Sequence, residues 1–351
     1  MGFPDVYIVT GALGWLGKRL VRLLASRSLD HPSLRALPPA RIRCLIMPGQ
    51  APADLRQIDE SIQVVTGDLR KASDCVRLCE NSRHGVIIHA AGIIHPRRVR
   101  EFYAVNVEGT RNLLGAAAAA GIGRTVIVSS NSPMGCNPHV DHLFDEDSPY
   151  NPYMNYGRSK MLMEQVVQAC ARSGAMETVI IRAPWFYGPD QPPRQTLFFS
   201  MIRQGRVPLV GNGNNLRSMV YVDNLCQGLL LAALTTRAAG RLYWIADRRP
   251  YSMNEIIGTV ERLLEEEYYL PVAHKRLRLP SIVGDVAELA DYMIQRLGFY
   301  HQKIHVLSEM NKTIACSMAK AEKELQYNPT IALEEGLRRS IAWCLEQGLR
   351  I

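Results

Sequence analysis

The N-terminal stretch constrains this chain most. Val6-Tyr7-Ile8-Val9 is an apolar run of strand length. It passes at once into Thr10-Gly11-Ala12-Leu13-Gly14-Trp15-Leu16-Gly17, and Lys18–Ala25 then carries helical periodicity at Leu20, Val21, Leu23 and Leu24. A buried strand that feeds a helix through three glycines implies a tight turn, a backbone that a ligand can approach closely, and close packing of helix on strand. The helix N-terminus presents free N–H groups and a positive partial charge, which suit a phosphate. The spacing therefore predicts a dinucleotide-binding turn.

The same rhythm continues downstream. Arg41–Met47, Ile62–Val65, Val86–His89, Thr125–Val128 and Thr178–Arg182 read as strands, with helical patterns at Arg70–Cys79, Val105–Ala120 and Ser159–Arg172. Alternation of this kind implies an α/β fold whose parallel sheet is covered on both faces. After Ala183-Pro184 the rhythm stops. An aromatic segment (Trp185–Pro189) and a proline-rich loop lead to a helix at Thr196–Gln204 and a hairpin at Pro208–Asn215. Ser218–Val222 reads as a strand, and Asp223 or Asn224 as the cap of a helix reaching Thr235. Leu242–Ala246 is expected to return to the main sheet. Ser252 to Gly348 is mostly helical and ends in an amphipathic helix with Trp343 on its apolar side. The expected division is 1–182, joined by 218–248, as the nucleotide domain, with 183–217 and 249–351 forming a smaller substrate lobe.

Composition narrows the function classes. The chain has 351 residues, 47% hydrophobic and 21% charged, enough for a full core. The net charge of +8 is partly local, in His95-Pro96-Arg97-Arg98-Val99-Arg100 and His274-Lys275-Arg276-Leu277-Arg278. These clusters read as solvated surface, or as steering for an anionic cofactor or acidic surface. No nucleic-acid module accompanies them. The eight cysteines are scattered without zinc spacing, as expected of reduced thiols. The N-terminus lacks a signal-type pattern and no stretch of about 18 apolar residues exists, so a cytoplasmic protein without an integral membrane segment is expected.

Several residues stand where chemistry is expected. Tyr156 and Lys160 are four apart and share a helix face. Ser129-Ser130-Asn131 closes a strand, which is either turn chemistry or a pair of hydroxyls at the ligand crevice. Asp68, in Gly67-Asp68-Leu69, can accept from an adenine amino group or cap the next helix. Ala90-Ala91-Gly92 lets backbone lie close to a flat ligand, whereas His89 before it reads as a packed residue. Asn106 is polar in an apolar helix, so a defined partner is expected. The second strand ends Met47-Pro48-Gly49, with neither the acid that grips ribose hydroxyls nor an arginine for a 2′-phosphate. NAD and NADP both stay open, the missing basic receptor favouring NAD.

Together these segments resemble the extended short-chain dehydrogenase/reductases. The matches include His89–Gly92, Asn106–Thr110, Ser129-Ser130, Tyr156–Lys160, Arg182–Gly188 and Arg217–Asn224, and they are collinear from residue 6 to about 235. The tail, with Leu325–Pro329, Leu333–Leu337 and Trp343, is similar to the 3β-hydroxysteroid dehydrogenase and sterol 4-carboxylate 3-dehydrogenase branch. The resemblance implies a Rossmann-type, doubly wound parallel sheet. It also implies an NAD(P)-dependent oxidoreductase interconverting a secondary alcohol and a ketone. In it Tyr156 is the general acid/base, Lys160 lowers the phenol's pKa and bonds the ribose, Ser130 holds the substrate oxygen, and Asn106 positions Lys160 through water. Gly11, Leu13, Gly14, Trp15, Leu16, Gly17, Asp68, Leu69, Ala90, Ala91, Gly92 and Pro184 would line the cofactor. Ser130, Met134, Trp185, Tyr187 and Arg217 would meet the substrate. Pro184-Trp185-Phe186 replaces the Asn common in sugar-nucleotide enzymes and favours a bulky, mostly apolar substrate, whereas Arg217 suits a phosphate. A sugar-nucleotide epimerase, dehydratase or reductase is the rival reading, and a non-catalytic cofactor-binding scaffold a second. A homodimer through the helices at Val105–Ala120 and Ser159–Arg172 is expected, with Ala116–Ala120 permitting close approach.

Overall fold

The computed structural model describes residues 3–29 and 31–351. Strand β1 (Val6–Thr10) is buried along its length and enters α1 (Trp15–Ser26) through the glycine turn. The short α2 (Pro32–Arg35) precedes β2 (Arg41–Ile46), and α3 (Ala53–Ile58) precedes β3 (Gln63–Thr66). Helix α4 (Ala72–Cys79) leads to β4 (Val86–His89). Then α5 (Val99–Phe102), a π-helical stretch (Tyr103–Gly109) and α6 (Thr110–Ala119) follow one another without a break and lead to β5 (Arg124–Ser130). Helix α7 (Met154–Arg172) and β6 (Glu177–Ala183) follow.

Beyond β6 come β7 (Trp185–Tyr187), α8 (Pro193–Arg203), β8 (Pro208–Val210), β9 (Leu216–Arg217), β10 (Met219–Tyr221) and α9 (Val222–Leu234). Strands β11 (Leu242–Trp244) and β12 (Tyr251–Ser252), helix α10 (Met253–Arg262) and β13 (Leu277–Leu279) succeed them. The chain closes with α11 (Ile282–Arg296), α12 (Gln302–Glu309), α13 (Ala319–Leu325) and α14 (Leu333–Glu346).

The main sheet has seven strands in the order β11-β6-β5-β4-β1-β2-β3, all parallel. Alternation along β1 covers both faces. Tyr7 and Val9 join a core with α1 and α9, while Val6 and Ile8 join one with α4, α6 and α7. Each large side chain so buried contributes about 1.5–3 kcal/mol. A third core, formed by Tyr187, Phe199, Ile256, Val260, Leu337 and Ile341, holds the helical part. Strand order reverses between β1 and β4, where Thr10 and His89 are register partners. Ligands of open α/β sheets bind outside the carboxyl ends at such a switch point.

Three local expectations change. Pro208–Asn215 is no hairpin, because β8 pairs in parallel with β13 and β9 pairs with β12. Neither Asp223 nor Asn224 caps α9, which starts at Val222. The Asp223 carboxylate is held by the Arg19 guanidinium, and the Asn224 amide donates to Ile331 O at 2.7 Å. Asp68 does not cap α4, which begins at Ala72. Its carboxylate folds back onto Arg70, accepting from the backbone N at 2.9 Å and from the guanidinium. Among the described residues no helix is long and apolar enough to cross a membrane, and no cluster of His, Cys, Asp or Glu is arranged to hold a metal.

Candidate active site

The glycine turn is built for close approach. Gly11 has φ 71°, and a Cβ there would lie 2.8 Å from Ala91 N. A Cβ on Gly17 would lie 2.1 Å from Gly11 O. Only glycine fits at either position. Gly14 donates from its N to Gly11 O and is the N-cap of α1; no side chain caps that end and no acid lies in the first turn. Its free N–H groups therefore face the switch point without a protein anion, and this fits a bound dinucleotide pyrophosphate. Leu13 is half-buried against the core and Leu16 is buried in it, so Leu16 offers only its backbone. Trp15 reaches across, donating from Nε1 to Pro189 O at 2.7 Å, with its ring 4.7 Å from that of Phe186.

Opposite the turn, half-buried Ala90 and Ala91 and exposed Gly92 follow β4. The ends of β1 and β4 are tied by Thr10 Oγ1 to His89 Nδ1 at 2.7 Å, and His89 Nε2 meets Thr110 Oγ1 at 2.9 Å. Burial drives the imidazole's pKa down to about 3, so it is neutral and structural. Asp68 is engaged by Arg70, and the Leu69 side chain enters the core while its carbonyl accepts from Asn112 Nδ2.

Asn106 finds its partners on the π-helical stretch. Its Oδ1 accepts from Ile93 N at 2.9 Å, and its Nδ2 donates to Ile93 O at 3.2 Å and to Ser159 Oγ at 3.1 Å. It thus clamps the loop after β4 onto α7. The spot where Gly92 lacks a Cβ is 3.3 Å from Asn106 Oδ1 and 3.6 Å from Lys160 Nζ, which puts both polar groups beside one bare backbone position.

Helix α7 carries Tyr156 and Lys160 toward the end of β5. It starts in a left-handed residue, Met154 at φ 51°, a conformation that costs about 1–3 kcal/mol. Gln295 Oε1 of α11 fixes this entry by accepting from Asn155 N at 3.1 Å and Asn155 Nδ2 at 3.0 Å. A Cβ on Gly157 would lie 2.4 Å from Ser132 O, so the helix start presses directly on the turn after β5. Ser130, the last residue of β5, stands just before that turn. Burial pushes the phenol's pKa up to about 12, and a hydrogen bond with the buried Ser130 hydroxyl opposes the rise. Glu309 adds to the rise and Arg194 opposes it. Lys160 does not acidify the phenol as expected. Its Nζ turns to Val128 O at 2.9 Å, and burial lowers its own pKa to about 8.

The phenol sits in an aromatic wall. Phe102 lies 5.7 Å from Tyr156 and 5.4 Å from Tyr300, whose hydroxyl is 2.9 Å from His95 Nδ1. Burial holds His95 near a pKa of about 4, hence neutral. Sequence reading missed Phe102, Tyr300 and His95; Tyr300 carries no motif spacing at all. It also missed Glu164, the buried carboxylate beneath the site. Glu164 accepts from Ser129 Oγ at 2.5 Å and Tyr150 OH at 2.8 Å and pairs with buried Arg182 at 2.8 Å.

The expected substrate contacts divide. Trp185 is half-buried, with its ring 5.7 Å from Phe198, and Pro184 before it is buried. Met134 is only 1% exposed and packs in the main core, so it cannot meet a ligand. Tyr187 is likewise buried, its hydroxyl donating to Asp247 Oδ2 at 2.7 Å, and it belongs to the core of the helical part. Arg217 spends its guanidinium on Glu309 O at the end of α12.

Comparison with known proteins agrees with this geometry. The sequence profile of the NAD dependent epimerase/dehydratase family matches residues 7–246. The uncharacterized protein y4nL of Sinorhizobium fredii is 51% identical over 97% of this chain and 95% of its own length. Mouse 3 beta-hydroxysteroid dehydrogenase type 7 is 28% identical over 96% of this chain and 95% of its own. Among solved structures, DesIV, the dTDP-glucose 4,6-dehydratase of Streptomyces venezuelae with NAD and TYD bound, superposes with a TM-score of 0.74. It is 26% identical, covering 97% of each chain. With its glycine turn at the switch point of a seven-stranded parallel sheet, the chain belongs to the NAD dependent epimerase/dehydratase family.

Proposed function

We propose that the protein interconverts a secondary alcohol and a ketone on a bulky, mostly apolar, cyclic substrate, using NAD. The observation that carries this reading is the half-buried Tyr156 phenol with Ser130 beside it and a packed aromatic backing, in which buried Phe102 lies against the phenol ring and Tyr300 and His95 stand behind Phe102. An aromatic setting of this kind suits an alicyclic ring better than a sugar, and likeness to the mouse 3β-hydroxysteroid dehydrogenase supports it. The tip of β2, Met47-Pro48-Gly49, offers no cation for a 2′-phosphate and supports NAD over NADP.

In this reading the N–H groups at the start of α1 hold the pyrophosphate, and Lys160 holds the ribose beside Gly92. When bound, NAD supplies the acceptor or donor of hydride. Ser130 donates a hydrogen bond to the substrate oxygen, which becomes alkoxide-like in the transition state. Tyr156, its phenol pushed to about 12, is protonated at neutral pH and delivers that proton to the ketone oxygen. Alcohol oxidation needs the reverse transfer, so its rate is expected to rise with pH.

Tyr156→Phe is the test. Cofactor-dependent turnover of cyclic secondary alcohols should vanish while NAD binding, read by calorimetry, persists; retained turnover refutes the assignment. The second reading, a sugar-nucleotide enzyme, rests on the full-length likeness to DesIV. A thermal shift with dTDP- or UDP-sugars and none with cyclic alcohols would favour it. The groove lined by Leu114, Gly115, Ala118, Leu162, Val166 and Cys170 between α6 and α7 supports the homodimer. Light scattering that gives a monomer mass would refute it. A cytoplasmic location completes the proposal, and export of the protein from the cell would refute it.

A further inference from the structure

Helix α11 is amphipathic in the inverted sense. Gly284, Ala287, Asp291 and Gln295 point inward and are buried. Ile282, Val286, Leu289, Met293 and Leu297, spaced by four, three, four and four, form the opposite stripe. They are 63%, 62%, 59%, 52% and 75% exposed. Tyr292 and Phe299 extend the stripe, and Val306 of α12 is exposed as well. Scattered exposed leucines need no explanation, but a continuous apolar stripe along four helical turns does.

Charge indicates what covers it. Of the acids of α11, Asp285 and Glu288 share the single Lys312 at 3.4 and 3.0 Å, and Asp291 turns inward to His305 at 2.7 Å. At the C-terminal end of α11 the rim is cationic. Arg98 lies 4.4 Å over the Phe299 ring and Arg296 lies 5.8 Å over Tyr292. Tyr300 N donates to Arg97 O, which sets the basic run beside the end of the stripe. Arg97, Arg100 and Lys303 are exposed. A second copy docked on this face would crowd two sets of like charges together. A negatively charged bilayer surface instead accepts both features, the apolar stripe among its acyl chains and the cations at its headgroups.

We infer that the α11–α12 face binds the surface of an anionic membrane, with α11 lying in the plane of the interface. The inference stands apart from the substrate reading, because none of the residues substituted in its test belongs to the Tyr156 site. Since α11 also holds Asn155 through Gln295, the docked face would leave the mouth of the site close to the bilayer.

Vesicle co-sedimentation of the full chain tests this. Binding is expected to vesicles of phosphatidylcholine mixed with phosphatidylglycerol, to weaken in high salt, and to be much weaker on phosphatidylcholine alone. The triple substitution Leu289→Ser, Met293→Ser, Leu297→Ser should abolish binding, and each of Arg98→Ser and Arg296→Ser should weaken it about fivefold. These positions are exposed, so the melting temperature should hold, and its measurement separates lost binding from lost folding. Failure to sediment with the mixed vesicles overturns the inference, as does binding untouched by the triple substitution. A concentration-dependent dimer that the triple substitution dissolves, without vesicle binding, also overturns it and gives the face to a second copy.

Discussion

Gly157 is where fold and chemistry meet most tightly, and Gly157→Ala is the sharpest test of the site. The added Cβ would lie 2.4 Å from Ser132 O. A carbon in ordinary contact needs roughly 3.5 Å, so α7 and the turn after β5 must separate by about 1 Å. The bond from Tyr153 N to Ser132 O, now 3.0 Å, spans the same gap and would stretch with it. Overpacking of this kind costs about 1–3 kcal/mol. A displacement of about 1 Å between Ser130 and Tyr156 is expected to cost about a hundredfold in kcat/KM. Gly258, inside α10, is the control. A Cβ there meets nothing within 4 Å, so Gly258→Ala should stabilise by about 1 kcal/mol and leave turnover unchanged. Urea unfolding gives the stability change of each variant and steady-state kinetics the activity. If Gly157→Ala matches Gly258→Ala in both, the close approach of α7 to the Ser130–Ser132 turn does not set the site geometry.

Two further substitutions probe buried charge. Glu164→Gln leaves Arg182, 2% exposed, without its counter-ion and should cost about 3–5 kcal/mol in chemical denaturation; a loss well below that would mean water reaches the pair. Asp247 has its pKa raised to about 6 by burial among Tyr187, Tyr221 and Tyr251, so the fold keeps its proton at pH values where the unfolded chain has released it. Its contribution is therefore fully present below about pH 4 and lost as pH rises through about 6, a change of about 3 kcal/mol. Asp247→Asn should remove that slope from the stability profile, and a parallel profile for variant and parent would refute the assignment.

The sheet and the glycine turn were legible because short buried strands, helical periodicity and turn glycines are local signals. Tyr156, Lys160 and Ser130 stood out as candidates because each belongs to a short motif. The errors lay where distant segments decide. Met134 and Tyr187 read as pocket residues from their position in the chain, yet the core and Asp247 claim them. Strand β8 pairs with β13, far along the chain, so Pro208–Asn215 resembled a hairpin only locally. The partner of Asn106 was rightly expected, but the π-helical stretch that aims it at Ile93 and Ser159 has no sequence signature. Tyr300 packs on Phe102, behind the phenol, from a segment with no motif. The phenol's pKa reversed expectation because helical spacing gives the distance between two side chains and not the direction of either; the Lys160 ammonium turns to a carbonyl.

The bridge made by Trp15 has a mechanical consequence. Its indole joins the first turn of α1 to the Phe186–Pro189 crossover, so two segments far apart in sequence move as one lever. Tightening of the turn around a nucleotide would pull on the strand that leads into the helical part, and a shift of that strand would loosen the turn. Occupancy at one end of the crevice thus has a physical route to the shape of the other, and in a variant that keeps Trp15 alone of the four tryptophans its fluorescence would gauge the strain between them.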